Sequence, residues 1–222
     1  MTGIAEKQAQ PGGDGPPPES LKKQLRILRM TPLGGQVFPG QVIPLGPAAA
    51  RIFAANDRMN QILIEHIDPA AWKAKLPPNA RGDTRTIAAI FTHVHNVRTK
   101  WIRLNASHLK VPGQLNRTHC TPQQARAGLA ESAAVCAEML AEVLGEGGGR
   151  TFVRDGWAKP WPAGMEMLCY MICHEAHHRG QVCMLAHQLG FRLPNEVTSR
   201  LWNWERLIAA AGQRRPLPGA RT

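Results

Sequence analysis

Four long stretches of this 222-residue chain carry apolar residues at helical spacing, each bounded by proline, glycine or a capping residue. No stretch of any length alternates apolar and polar residues as a half-buried strand would. The first helical pattern runs from about Ala48 to Ile67, with Ile52, Met59, Leu63 and Ile67 recurring on one side and Pro69 past its end. The second opens at Asp83 or Thr84, both good N-caps, and runs to about Asn105. The third opens at Thr121-Pro122, a cap followed by proline at the first helical position, and continues through an alanine-rich run to the glycines at 147–149. The fourth begins near Ala163 and stops at Gly190. Residues 150–162 read as a crossover loop with room for a short strand or turn. A fifth, shorter helix is expected from Asn195 to Ala211, carrying Trp202 and Trp204. Such a pattern predicts an all-α fold: a four-helix bundle with a short extra C-terminal helix.

The chain divides by composition into a flexible, basic, Pro/Gly-rich extension (1–35), the bundle (36–211) and a basic flexible tail (212–222). Within the extension, LKKQLRILRM (21–30) has the pattern of one short amphipathic helix. No apolar run approaches the roughly 18 to 20 residues of a membrane span, and the N-terminus lacks the apolar core of a secretory signal. A cytoplasmic protein with no membrane partner is expected. The five cysteines form no C-x-x-C pair, so they read as reduced, small buried apolar residues. The formal net charge is +11, and residues 36–211 carry 19 Lys and Arg against 13 Asp and Glu. Nothing resembles a helix-turn-helix, a basic zipper or an RNA-stacking sheet, so the excess reads as a solvated basic surface and no nucleic-acid partner is expected.

The chemistry concentrates in MEMLCYMICHEAHHRGQVCMLAHQLG, residues 165–190. His174 and His178 are four apart and so lie about 40° from one another on a helix, one turn apart. Met167, Tyr170, Met171, Gln181 and Leu185 share that side, which should face the bundle interior. His177 falls at its margin and His187 further round; Cys183 lies opposite and Cys169 well away. Two buried imidazoles at this spacing each need partners for both ring nitrogens, and one shared ion supplies a partner to each. On the second helix, His93 lies inside the apolar stripe of Ile90, Val94, Val97, Trp101 and Leu104. His95 is about 160° away and should be exposed to solvent. His93, His174 and His178 are therefore the expected ligands of one divalent metal ion, with positions left open for water or a substrate atom. Imidazole ligands suit Zn, Ni or Fe. Tyr170 and Gln181 are candidate substrate contacts. Gly180 should permit close helix packing, and Arg179 should pair with Asp57 or Glu65 on the first helix.

A histidine eight residues before Trp101, followed by the late run His174-Glu175-Ala176-His177-His178-Arg179-Gly180-Gln181, resembles the DinB/YfiT-like superfamily. The resemblance covers about Ala48 to Gly190 and extends to the helix of Trp202-Asn203-Trp204. It implies an up-down-down-up four-helix bundle, often dimeric, with a three-histidine metal site. Several members of that superfamily are thiol-dependent S-transferases or isomerases using glutathione, mycothiol or bacillithiol. The N-terminal extension departs from the pattern, and nothing carries over onto it.

The same residues also match H-E-x-x-H, in which the glutamate of a zinc metalloprotease acts as general base. That reading wants an edge strand to align a peptide, and no upstream strand pattern exists. Gln181 also occupies the place of the glycine that the metzincin form requires. On the bundle reading Glu175 is simply a neighbour lying off the inward face. A third reading is a non-catalytic, metal-stabilised binding bundle, which lacks the closed four-ligand shell typical of structural zinc. The expectation from sequence is a metal-dependent enzyme acting on a small molecule, either a thiol-dependent S-transferase with a low-molecular-weight thiol as cosubstrate or a metal-hydroxide hydrolase.

Overall fold

A computed structural model describes residues 44–78, 84–145, 151–153 and 164–212. Contacts divide the chain into two units, Met1–Val42 and Ile43–Thr222, and every described residue falls in the second. The extension 1–35, with its expected helix at 21–30, and the tail after 212 lie outside the described residues.

Six helices make up the secondary structure of the described part: α1 (Leu45–His66), α2 (Ile87–Asn105), α3 (Pro122–Gly145), α4 (Gly164–Gln188), α5 (Asn195–Arg200) and α6 (Trp204–Gly212). The first four are the long apolar-periodic runs of the sequence. Helix α2 starts later than Asp83 or Thr84, because Thr86 is the residue whose hydroxyl accepts from Ala89 N, 3.1 Å away. Helix α3 has a reciprocal cap: Thr121 Oγ1 accepts from Gln124 N, and Gln124 Oε1 accepts from Thr121 N. Gly190, at φ 86°, ends α4 in the left-handed region that favours glycine. The single C-terminal helix expected from Asn195 to Ala211 is instead two. Asn203 breaks it, since its side-chain Oδ1 accepts from Arg206 N and caps a new helix, α6.

The core consists of two apolar clusters separated by a polar layer. One cluster gathers Leu63 and Ile64 of α1, Ile87 and Phe91 of α2, Leu129 of α3 and Val182 and Ala186 of α4. The other gathers Phe53 of α1, Trp101 and Ile102 of α2, Met139 and Leu140 of α3 and Met167 and Leu168 of α4, with Phe152 from the crossover. Helices α1 and α4 therefore run from the second cluster toward the first, and α2 and α3 run in the opposite sense. The α1–α3 contact is the most extensive. At its end a Cβ on Gly46 would collide with the Ala141 carbonyl, so the absent side chain lets the two backbones meet. The backbone of helix α4 stands further from its neighbours than those of α1 and α3 do from each other. Gly180, expected to allow close packing there, does not: a Cβ on it would meet nothing within 4 Å. It sits on the exposed side of α4.

Candidate metal centre

The three histidines chosen from helical spacing come together between α2 and α4. His93 and His178 have ring centroids 4.7 Å apart, His174 and His178 4.6 Å, and His93 and His174 5.4 Å. One ring nitrogen from each lies within 4.8 Å of the others, and this is the one such cluster of histidine, cysteine or carboxylate groups among the described residues. His178 is buried, while His93 and His174 are half-buried.

The fit to an ion can be tested on distances. Tetrahedral zinc with nitrogens about 2.0–2.1 Å away sets nitrogen–nitrogen separations of about 3.3 Å. His178 Nε2 and His174 Nε2 stand 3.2 Å apart. The tautomer fits as well. His178 Nδ1 is 2.8 Å from Gln181 Oε1, an oxygen that only accepts, so Nδ1 carries the proton and Nε2 presents its lone pair. Gln181 is itself oriented by donating from Nε2 to His177 Nε2 at 2.9 Å. Burial, then the neighbouring His178 and the charges of Arg85, Arg117 and Lys100, push His93 down to about 4, so its ring is neutral near pH 7. Burial likewise lowers His178. The His174 ring stacks on Tyr170 at 6.0 Å and meets the edge of Trp101 at 5.6 Å, which fixes its plane.

Several residues lie elsewhere than helical spacing suggests. His95 is not exposed: it is 1% accessible, with Nδ1 3.1 Å from Ser132 Oγ and Nε2 2.8 Å from the Gly113 carbonyl. Helix α3 and the segment after α2 cover the flank that helical spacing alone assigns to solvent. His187 and His177 are exposed. Gln181 is exposed too, and holds a histidine rather than facing inward. Of the five cysteines read as buried, Cys120 and Cys136 are, Cys183 is intermediate, and Cys169 and Cys173 are exposed.

Glu175 is the largest correction. It is fully buried and makes a two-pronged ion pair with Arg98, from Nε to Oε1 and from Nη2 to Oε2, both 2.7 Å. Asn56 Nδ2 and Asn60 Nδ2 also donate to Oε2, at 2.7 and 2.8 Å. Arg98 Nη1 continues to Asp57 Oδ1 and to the Leu129 carbonyl, both at 2.9 Å. Arg179 donates to Asn60 Oδ1 at 3.2 Å and lies 3.9 Å from Glu175, so its expected partners, Asp57 and Glu65, belong to other arginines. Asp57 pairs with Arg98, and Glu65 with Arg58 and Arg126. Two arginines and two carboxylates thus neutralise one another in a layer built from all four long helices. Burial pushes the Glu175 carboxyl up, but Arg98, Arg179 and Asn60 hold it below the usual range. Buried and bound to Arg98, Asn56 and Asn60, it is tied into this layer and is not held as a free general base. The sequence did carry a trace of this layer: Asn56, Asp57, Asn60 and Gln61 recur at helical spacing inside an otherwise apolar stripe.

Taken together, the helices and the three converging imidazoles define a helical-bundle protein with a three-histidine cluster able to bind a metal ion. The sequence profile of the DinB family matches residues 47–206, and the chain belongs to that family. No curated protein and no solved structure matches the chain. Among the described residues no helix is long and apolar enough to cross a membrane.

Proposed function

We propose that this protein is a metal-dependent enzyme in which His93, His174 and His178 hold one divalent ion, zinc, nickel or iron, for chemistry on a small molecule. The observation that carries the reading is the convergence of three imidazole nitrogens with no fourth histidine, cysteine or carboxylate atom within 4.8 Å of all three among the described residues. A structural zinc site is normally closed by four protein ligands, whereas three leave a position for a reactant. The ion, when bound, supplies a Lewis acid that lowers the pKa of a coordinated thiol or water toward neutrality. The protein's own part is to present neutral donors. Gln181 fixes the His178 tautomer, Tyr170 and Trp101 fix the His174 ring, and burial keeps His93 unprotonated. Three neutral ligands leave the full positive charge of the site to an anion, which favours a thiolate.

Transfer of a low-molecular-weight thiol to an electrophile is the preferred activity, with hydrolysis second. The H-E-x-x-H peptidase reading is not supported, because Glu175 is committed to Arg98. Elemental analysis of the purified protein, followed by Co(II) substitution and titration with glutathione, mycothiol and bacillithiol, tests the proposal. A near-ultraviolet thiolate band that disappears in His178→Ala supports thiol transfer. Bound metal with no band, but with turnover of an ester or amide, makes the protein a hydrolase. Bound metal with neither result makes it a binding bundle, and metal retained in His178→Ala sinks the site.

A further inference from the structure

Beside the histidine cluster, a groove of about 670 Å³ runs between the start of α2 and the outer side of α4. Its volume lies in the range of small-molecule clefts, about 300–1,000 Å³. Leu76, Ile90, Met184 and Leu185 give it an apolar surface, and no acidic side chain among the described residues lines it. Two polar groups in its wall have no counterpart. Arg85 makes no hydrogen bond or ion pair among the described residues. The buried hydroxyl of Thr84 likewise has no hydrogen-bond partner among them.

Groove and histidine cluster share a wall. Gln181 lines the groove and accepts the proton of His178 Nδ1 at 2.8 Å. Arg85 stands just before α2, the helix that carries His93, and lines the groove together with Gln181. Arg117 and Lys100 add positive charge near His93. An apolar trough with an unpaired cation at its rim, in a positive field, is complementary to an anion that carries an apolar body.

We propose that this groove binds a small organic anion, its oxyanion held by Arg85 and its apolar part laid against Ile90, Met184 and Leu185. The groove is then the substrate-binding part of the metal centre proposed above. Gln181 is the point of contact between the two, since a ligand touching its amide also touches the group that orients His178. Guanidinium presents a planar set of donors to a carboxylate or sulfonate, which a neutral ligand of equal size does not use.

The test uses the full chain and two dyes of similar shape, the anionic 8-anilinonaphthalene-1-sulfonate and the neutral N-phenyl-1-naphthylamine, in EDTA and with Zn(II). Arg85→Met is expected to weaken binding of the anionic dye at least tenfold and to change binding of the neutral dye less than twofold. Ala176→Trp, which fills the groove from the exposed side of α4, is expected to weaken both. Circular dichroism and thermal midpoints show that each variant is folded, and Thr84→Val repeats the arginine test on a second groove residue with a smaller loss. Equal affinity of the anionic dye for wild type and Arg85→Met overturns the proposal, as does dye binding indifferent to Ala176→Trp. Because the EDTA arm needs no metal, failure there with metal content intact refutes the groove alone. Loss of metal binding with the dye results intact refutes the metal centre alone.

Discussion

Arg98 and Glu175 meet fork to fork at the centre of the bundle, two 2.7 Å contacts between side chains that are both 0% accessible. Glu175 is the residue next to His174, and Arg98 lies five residues past His93. The pair that ties α2 to α4 therefore lies on the same two helices as the histidines that meet between them.

Removing one member of that pair leaves the other charged and buried. Glu175→Ala is expected to destabilise the protein by about 3–5 kcal/mol, and Arg98→Met in the same direction. Urea unfolding followed by circular dichroism measures this. A loss under about 1 kcal/mol would mean that the network contributes little to stability. No peptidase activity is expected in the wild type for Glu175→Gln to abolish.

Metal content separates the histidines. His93→Ala, His174→Ala and His178→Ala should each lose at least nine-tenths of the bound metal per folded chain, on the order of tenfold or more in affinity. His187→Ala should lose none. His95→Ala should keep its metal yet unfold more easily, by about 1–3 kcal/mol, because Ser132 and the Gly113 carbonyl lose a buried partner. Metal lost in His95→Ala under conditions where the chain remains folded would return that residue to the candidate ligands.

Gln181 is expected to act on the ion through His178. Gln181→Leu removes the acceptor of the Nδ1 proton and should weaken metal affinity about 10–100-fold, with little change in the unfolding midpoint of the metal-free protein. Gln181→Glu keeps an acceptor and should bind at least as tightly as wild type. Competition with a chromophoric chelator gives both affinities.

Thiol reactivity should follow exposure. Cys169 and Cys173 should react with a disulfide reagent within minutes at pH 8, and Cys183 more slowly. Cys120 and Cys136 should react only on unfolding, since burial raises both thiols. Peptide mapping of the labelled protein assigns each site. Rapid labelling of Cys136 would contradict its place beside Arg98 in the core.

Helical spacing alone carried the four long helices and the choice of His93 over His95 as the residue facing α4. Each of these depends on the angle between residues of one helix, which 3.6 residues per turn determines locally. It did not carry the surroundings of His95, Glu175 or Arg179. A helical wheel has one apolar side by construction, and the side opposite is assigned to water. Here α2 also has α3 and the segment around Gly113 on its far flank, and α4 has α1 against the flank that bears Glu175. Polar residues on those flanks are buried because another helix covers them, and they are tolerated because that helix brings the opposite charge or an amide. Asp57 and Asn60 stand in α1, well over a hundred residues before Glu175. The sequence determined which residues each helix can turn toward a neighbour. Only the tertiary structure decided how many neighbours each helix has, and so which polar side chains had to find partners away from water.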